Sequence, residues 1–188
     1  MKARHVAVAS WALAAGIGIT AAFAYSAGYR VNLTHSAPSG LWRVVPVELA
    51  AIQRGELVEV CPPPARIVSL MSERGYLSSG DCSPGGVTTL LKPVAAVAGD
   101  RVTIRRGNPA EVNGEPLPNT TAEQGIPAWP DGTYPVQPGQ VWLFSTYSPG
   151  SFDSRYFGPV PLVNVRGRAS PVLTHGNPGD MTLRSKQQ

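Results

Sequence analysis

Residues 89–98 read Thr-Leu-Leu-Lys-Pro-Val-Ala-Ala-Val-Ala, the centre of an apolar, β-branched run over 87–97. A run of this length, flanked by the Gly-rich stretch 80–86 and by Gly99-Asp100, predicts a buried strand. Lys92 is the anomaly within it. Burying an ammonium is costly, and burial favours the neutral amine. A neutral amine is a base, and it can activate a neighbouring hydroxyl. The competing reading is an edge strand whose lysine reaches back to water.

Outward from this strand the pattern stays β. Residues 41–47 and 56–61 read as strands with Gly55 in the turn between them, and 101–105 alternates like a half-exposed strand. Asn113-Gly114, between Glu111-Val112 and Glu115-Pro116-Leu117, is a hairpin signal. Residues 141–147 read as a strand, and 161–168 and 172–173 as closing strands. The spacing of Ile67, Leu70 and Met71 after three prolines predicts a short helix over 65–75. Residues 80–86 and 119–138 read as a loop and a long surface excursion. The expectation is a mainly β, antiparallel domain with one or two short helices.

The 188 residues carry 20 Gly and 19 Pro without a repeat period, as many turns and short strands require. The net charge of +4 is not gathered into a basic stripe with interleaved aromatics, so direct nucleic-acid binding is not expected. Lys2, Arg4 and His5 precede an uncharged stretch over 6–29 that ends at Arg30. Its length suits a transmembrane helix, and the basic flank would keep the N-terminus in the cytoplasm. Ala22-Phe23-Ala24 also fits a signal-peptidase cleavage site, which would release the domain in soluble form. Both readings export the domain. The chain divides into a membrane anchor or signal segment (1–30), a domain (31–176) and a polar tail (177–188).

Cys61 and Cys82 fit no CxxC motif. They are either buried thiols or, in an exported domain, a disulfide closing a Pro- and Gly-rich loop. No cluster has metal-ligand spacing and no phosphate loop is present, so neither metal nor cofactor is expected. Ser36, in the polar link 31–39 just past the anchor, is by itself an ordinary linker residue. His35 precedes it, but adjacent residues on an extended chain point to opposite sides. His175 is a more distant candidate, with a surface role the simpler reading. Asp153-Ser154-Arg155 has the spacing of a structural ion pair.

Four fragments in order resemble the signal peptidase I-like serine peptidases, and within them the TraF-type conjugal-transfer peptidases, from the anchor to about residue 173. Ser36-Ala37-Pro38-Ser39-Gly40-Leu41-Trp42 resembles that branch's Ser-x-Pro-x-Gly-Leu-aromatic box; the main signal peptidases have Ser-Met-x-Pro there. The segment from Lys92-Pro93 to Gly99-Asp100 resembles the lysine box, and Val112-Asn113-Gly114-Glu115-Pro116-Leu117 the hairpin after it. Ser151-Phe152-Asp153-Ser154-Arg155 matches Ser-x-Asp-Ser-Arg, although Ser145-Thr146-Tyr147 replaces the usual Gly-Asp-Asn before it.

The resemblance implies a signal-peptidase-like β domain behind one N-terminal helix. It implies Ser36 as nucleophile and Lys92 as general base, and it groups Asp153 with them, either supporting the residues around the lysine or taking a more direct part. It further implies Thr34, beside the Ser36 backbone N–H, as an oxyanion donor. Ser151 would orient the lysine, and Arg155 would pair with Asp153. The implied activity is processing of a membrane-held pilin precursor in a conjugative transfer system, with water or the substrate's own amine resolving the acyl-enzyme. Implied partners are that precursor, other transfer proteins and the inner membrane, with the domain in the periplasm. Two other readings stay open: a general signal peptidase, and a non-catalytic assembly subunit of the conjugative apparatus. A self-cleaving repressor is disfavoured by the exported anchor.

Overall fold

The uncharged N-terminal stretch forms helix α1 (Lys2–Ser26), of which Arg4–Ser26 is long and apolar enough to cross a membrane. Its large apolar side chains, Trp11, Ile19 and Phe23 among them, are exposed. Arg30 closes its C-terminal end. The guanidinium lies 3.9 Å over the Tyr25 ring and donates through Nη1 to the Tyr25 and Tyr29 carbonyls at 2.8 and 3.0 Å. Its Nε meets the buried Glu59 at 2.8 Å, which ties the helix end to the β domain. The computed structural model describes residues 2–34 and 36–176. His35 and the tail 177–188 lie outside the described residues.

The strands follow as β1 (Tyr29–Asn32), β2 (Ser39–Val45) and β3 (Leu57–Val60). Helix α2 (Arg66–Glu73) buries Val68 and Met71. Next come β4 (Ser79–Cys82), β5 (Leu90–Ala96), β6 (Arg101–Ile104), β7 (Glu111–Val112) and β8 (Glu115–Pro116). The chain ends with β9 (Gly132–Pro135), β10 (Gln140–Leu143), helix α3 (Ser154–Phe157), β11 (Val160–Pro161) and β12 (Val165–His175). Seven strands pair in the order β1-β2-β12-β3-β5-β10-β11, and four in the order β8-β7-β6-β9. Every pairing is antiparallel. The fold is therefore mainly antiparallel β with few helices behind an N-terminal apolar helix.

β5 is central, and its residues from Lys92 to Ala96 are buried, as the apolar run requires. Pro93 explains a change within it. A proline has no N–H for a ladder and is confined to places where one neighbour is missing. Along Leu90–Pro93, β5 pairs with β3; β10 joins only at Val94 and Ala96. The 90–93 half thus keeps one edge open, and Lys92 sits on it. The Asn113-Gly114 turn has φ of 54° and 86°, the left-handed pair that a tight hairpin needs.

Several elements differ from expectation for reasons of long-range pairing. Tyr29–Asn32, partly inside the supposed polar link, becomes β1 because β2 offers it a partner. The loop over 80–86 carries β4 at its start, bridged from Ser79 and Cys82 to Val87. The excursion over 119–138 contains β9, which pairs with β6 in register from Ile104↔Gly132 to Arg101↔Pro135. The strand expected over 141–147 ends at Leu143, because the main chain of Ser145 is taken by Asp153 and Arg155. The closing strand expected over 161–168 is broken, with Pro161 in β11 and a 3-10 turn at Leu162–Asn164, and its remainder runs on through 172–173 as one strand, β12, with an irregularity at Pro171/Leu173. Cys61 and Cys82 form a disulfide that joins the end of β3 to β4.

Candidate active site

β5 places Lys92 with its side chain buried to 2% exposure, facing a cleft of about 1210 Å³. Lys92 Nζ donates to Ser151 Oγ at 2.7 Å, across 59 residues of sequence. Burial is the main reason the Lys92 pKa falls from 10.5 to about 8. The Asp153 carboxylate opposes that fall, and the Arg155 guanidinium adds to it. A lysine with a pKa near 8 holds an appreciable neutral fraction at ordinary pH, and so can act as a base.

Ser36 lines the same cleft, half-buried in the turn between β1 and β2. Asn32, at the end of β1, organises that turn. Its Oδ1 accepts from the Thr34 amide at 3.1 Å and the Thr34 hydroxyl at 2.7 Å. Its Nδ2 donates to the carbonyls of Thr34, Ala37 and Pro38 at 3.2, 3.0 and 3.1 Å. Trp42 Nε1 adds a second bond to the Pro38 carbonyl at 3.0 Å. Gly40 has φ +136°, and a Cβ there would run into the Leu173 carbonyl of β12. The turn therefore requires glycine at this point of the Ser-x-Pro-x-Gly box.

Thr34 Oγ1 lies 3.1 Å from Ser36 Oγ. Thr34 has one hydroxyl proton, and Asn32 Oδ1 can only accept. The Ser36 hydroxyl is then the donor to Thr34. Among the described residues no hydrogen bond joins Ser36 Oγ to Lys92 Nζ.

Asp153 and Arg155 do not line the cleft. They are completely buried behind it. Asp153 caps α3 and accepts from the Arg155 amide at 3.2 Å. Its Oδ1 and Oδ2 also accept from Arg155 Nε at 2.8 Å and Nη2 at 2.9 Å. Oδ2 takes the Ser145 amide at 3.0 Å. Arg155 reaches the carbonyls of Asn119 (2.9 Å), Pro149 (2.9 Å) and Ser145 (3.1 Å). The carboxylate grouped with the reacting residues in sequence thus has its oxygens committed to a buried ion pair, from which it acts on Lys92 through its field. His175 is exposed at the end of β12, opposite Ser39.

Sequence reasoning missed Asn32 and Ser145. For Asn32 a signal existed: Asn-x-Thr at the start of a loop is the spacing of a side-chain turn bonding two residues on. For Ser145 the departure from Gly-Asp-Asn marked the position but not its partner, because Ser36 is 109 residues away.

The family model "Signal peptidase, peptidase S26" matches residues 3–174 of the chain. A probable conjugal transfer protein TraF of Sinorhizobium fredii (strain NBRC 101917 / NGR234) is 42% identical over 165 residues, 86% of this chain and 85% of the relative. A conjugal transfer protein TraF of Agrobacterium tumefaciens (strain 15955) is 39% identical, covering 83% of this chain and 88% of its own length. A plasmid transfer protein TraF of Escherichia coli is 34% identical over 175 residues, 89% of this chain and 96% of that one. Among solved structures, a signal peptidase I of Enterococcus faecalis V583 aligns with a TM-score of 0.37 at 19% identity, covering 66% of this chain and 98% of that chain.

Proposed function

This chain belongs to the signal peptidase, peptidase S26, family, and from that premise we propose that it is a membrane-anchored Ser–Lys peptidase of a conjugative transfer system that matures a membrane-held pilin precursor. The observation that carries the chemistry is Lys92: a buried amine with a pKa of about 8 in the cleft that Ser36 also lines. The TraF relatives support the transfer role.

In this reading Ser36 Oγ attacks the scissile carbonyl carbon while its proton passes to neutral Lys92. The Ser36 backbone N–H and Thr34 hydroxyl receive the negative charge on the carbonyl oxygen. To donate there, Thr34 must release Asn32. The C–N bond then breaks, the leaving amine takes the proton from Lys92, and an acyl-enzyme remains. Water, or the N-terminal amine of the same substrate, adds to the ester with its proton passing to Lys92. Loss of Ser36 Oγ, reprotonated by the lysine, frees a linear or a cyclic product. The acceptor that arrives in attacking geometry more often decides which.

The basic residues in the first turn of α1 support a cytoplasmic N-terminus with the β domain in the periplasm. An anchored enzyme and an anchored substrate share one surface, which raises their effective concentration. The test is coexpression of the transfer system's pilin precursor with wild type, Ser36→Ala, Lys92→Ala and Lys92→Arg, followed by mass analysis. Processing stops in all three variants at normal protein levels. A product lighter by one water than the trimmed linear chain identifies cyclisation. Variants that process like wild type would refute the Ser–Lys assignment.

A further inference from the structure

Ser145 is fully buried, and its side chain meets the segment holding Ser36. We propose that Ser145 is a positioning residue for the nucleophile, coupling the Ser36 main chain to the buried Asp153–Arg155 pair. The inference rests on the reading of Ser36 as nucleophile.

The ion pair grips Ser145 on both sides. Its amide donates to Asp153 Oδ2 at 3.0 Å, and its carbonyl accepts from Arg155 Nη2 at 3.1 Å. With the main chain held and the residue 0% exposed, its hydroxyl has little freedom. That hydroxyl donates to the Ser36 carbonyl at 2.7 Å and accepts from the Tyr147 amide at 3.3 Å. A glycine could do neither.

The Ser36 carbonyl is a sensitive place to hold. The carbonyls of Ala37 and Pro38 are tied by Asn32, and that of Pro38 also by Trp42. Ser145 supplies the side-chain tie one residue earlier, at the proposed nucleophile itself. Fixing that peptide plane limits the ψ angle of Ser36, and with it the direction in which Cβ and Oγ project. A reacting atom displaced by about 1 Å can lose on the order of a hundredfold in rate. The same ion pair therefore serves both partners. Its charges act on Lys92, and through Ser145 it fixes the main chain of Ser36.

The full chain in detergent, with Ser36→Ala as control, is assayed for turnover of an acetylated alanine tripeptide p-nitrophenyl ester. In Ser145→Ala, kcat falls about tenfold, the value of one well-placed hydrogen bond. KM stays within about twofold and the pH midpoint set by Lys92 is unmoved. Ser145→Thr, which retains the donor, recovers most of the lost kcat. Should Ser145→Ala not accumulate as folded protein, Ser145→Cys, close in size but a weak donor, is held to the same loss. An unchanged kcat in a variant lacking the donor overturns the proposal. So does a loss accompanied by a moved pH midpoint, since Ser145 would then act through Lys92. If Ser36→Ala retains turnover, the nucleophile assignment itself fails, and that is a separate result.

Discussion

Lys92 is charged at a cost in this fold, and the cost is visible as a titration. It releases its proton at about 8 in the folded chain, against 10.5 as the ordinary value. Between those values the unfolded chain binds more protons, so this group makes stability rise with pH across that window. Below about 8 the full penalty applies, roughly 3 kcal/mol. Lys92→Met is accordingly expected to raise the unfolding free energy at pH 7 by up to about that amount, and to flatten the pH dependence between 8 and 10.5. Urea unfolding at a series of pH values checks both. Under the proposed Ser–Lys chemistry, activity has the same origin and the opposite requirement. In wild type, kcat/KM rises with pH through a midpoint of about 8 as the amine becomes neutral. Lys92→Arg stays charged at every accessible pH and is inactive throughout. Ser151→Ala removes the acceptor of the Lys92 ammonium, which disfavours the charged form further. Its pH–rate midpoint shifts downward while the maximal rate falls about ten- to a hundredfold, because the amine is no longer aimed.

At the scale of elements, the end of β10 is the instructive place. The pattern from Val141 to Tyr147 is that of a strand, yet pairing stops at Leu143. A local pattern cannot register that the next main-chain groups have better partners. Leu143 N–H goes to Ser154 Oγ, and the Ser145 main chain goes to Asp153 and Arg155. Helix α3, a single turn capped by Asp153, was illegible for the same reason. Arg155 holds together segments that are remote in sequence, the 119 region and the loop over 145–149. Arg155→Met leaves the Asp153 carboxylate buried without its counter-ion and should cost about 3–5 kcal/mol, read as a lowered urea midpoint. A lysine there keeps the charge without the fork of donors, and recovers only part of that loss.

At the scale of the molecule, α1, the cleft and the disulfide share one arrangement. Helix α1 is not on a loose tether: Arg30 joins its last turn to Glu59 on β3, and Ala21, Ala24 and Tyr25 line the cleft together with Ser36 and Lys92. Alkaline extraction of membranes should leave the full chain in the pellet. Protease added to spheroplasts should digest the β domain while leaving a cytoplasmic N-terminal tag intact. Resistance of the β domain in that assay reverses the proposed orientation. The Cys61–Cys82 disulfide closes a loop with a sequence separation of 21. Chain entropy assigns such a loop about 3 kcal/mol, so Cys61→Ser with Cys82→Ser is expected to lower stability by roughly that amount in urea unfolding.

Features built from neighbouring residues were legible in the amino-acid order: the membrane-length helix, the apolar strand interrupted by Lys92, the Asn113-Gly114 hairpin, the short helix α2 and the antiparallel β character. Each arises from periodicity, turn chemistry or hydrophobic length, which act over a few residues. Ser36 was legible only through resemblance, since nothing local distinguishes it from a linker serine. The folded chain supplied the rest. It brought Ser151 to Lys92 across 59 residues and Ser145 to Ser36 across 109. The Asp153–Arg155 pair was legible in its spacing, but its full burial away from the cleft was not. Such contacts depend on which backbone and side-chain groups are left without partners once the sheets have paired, and that is a property of the assembled molecule.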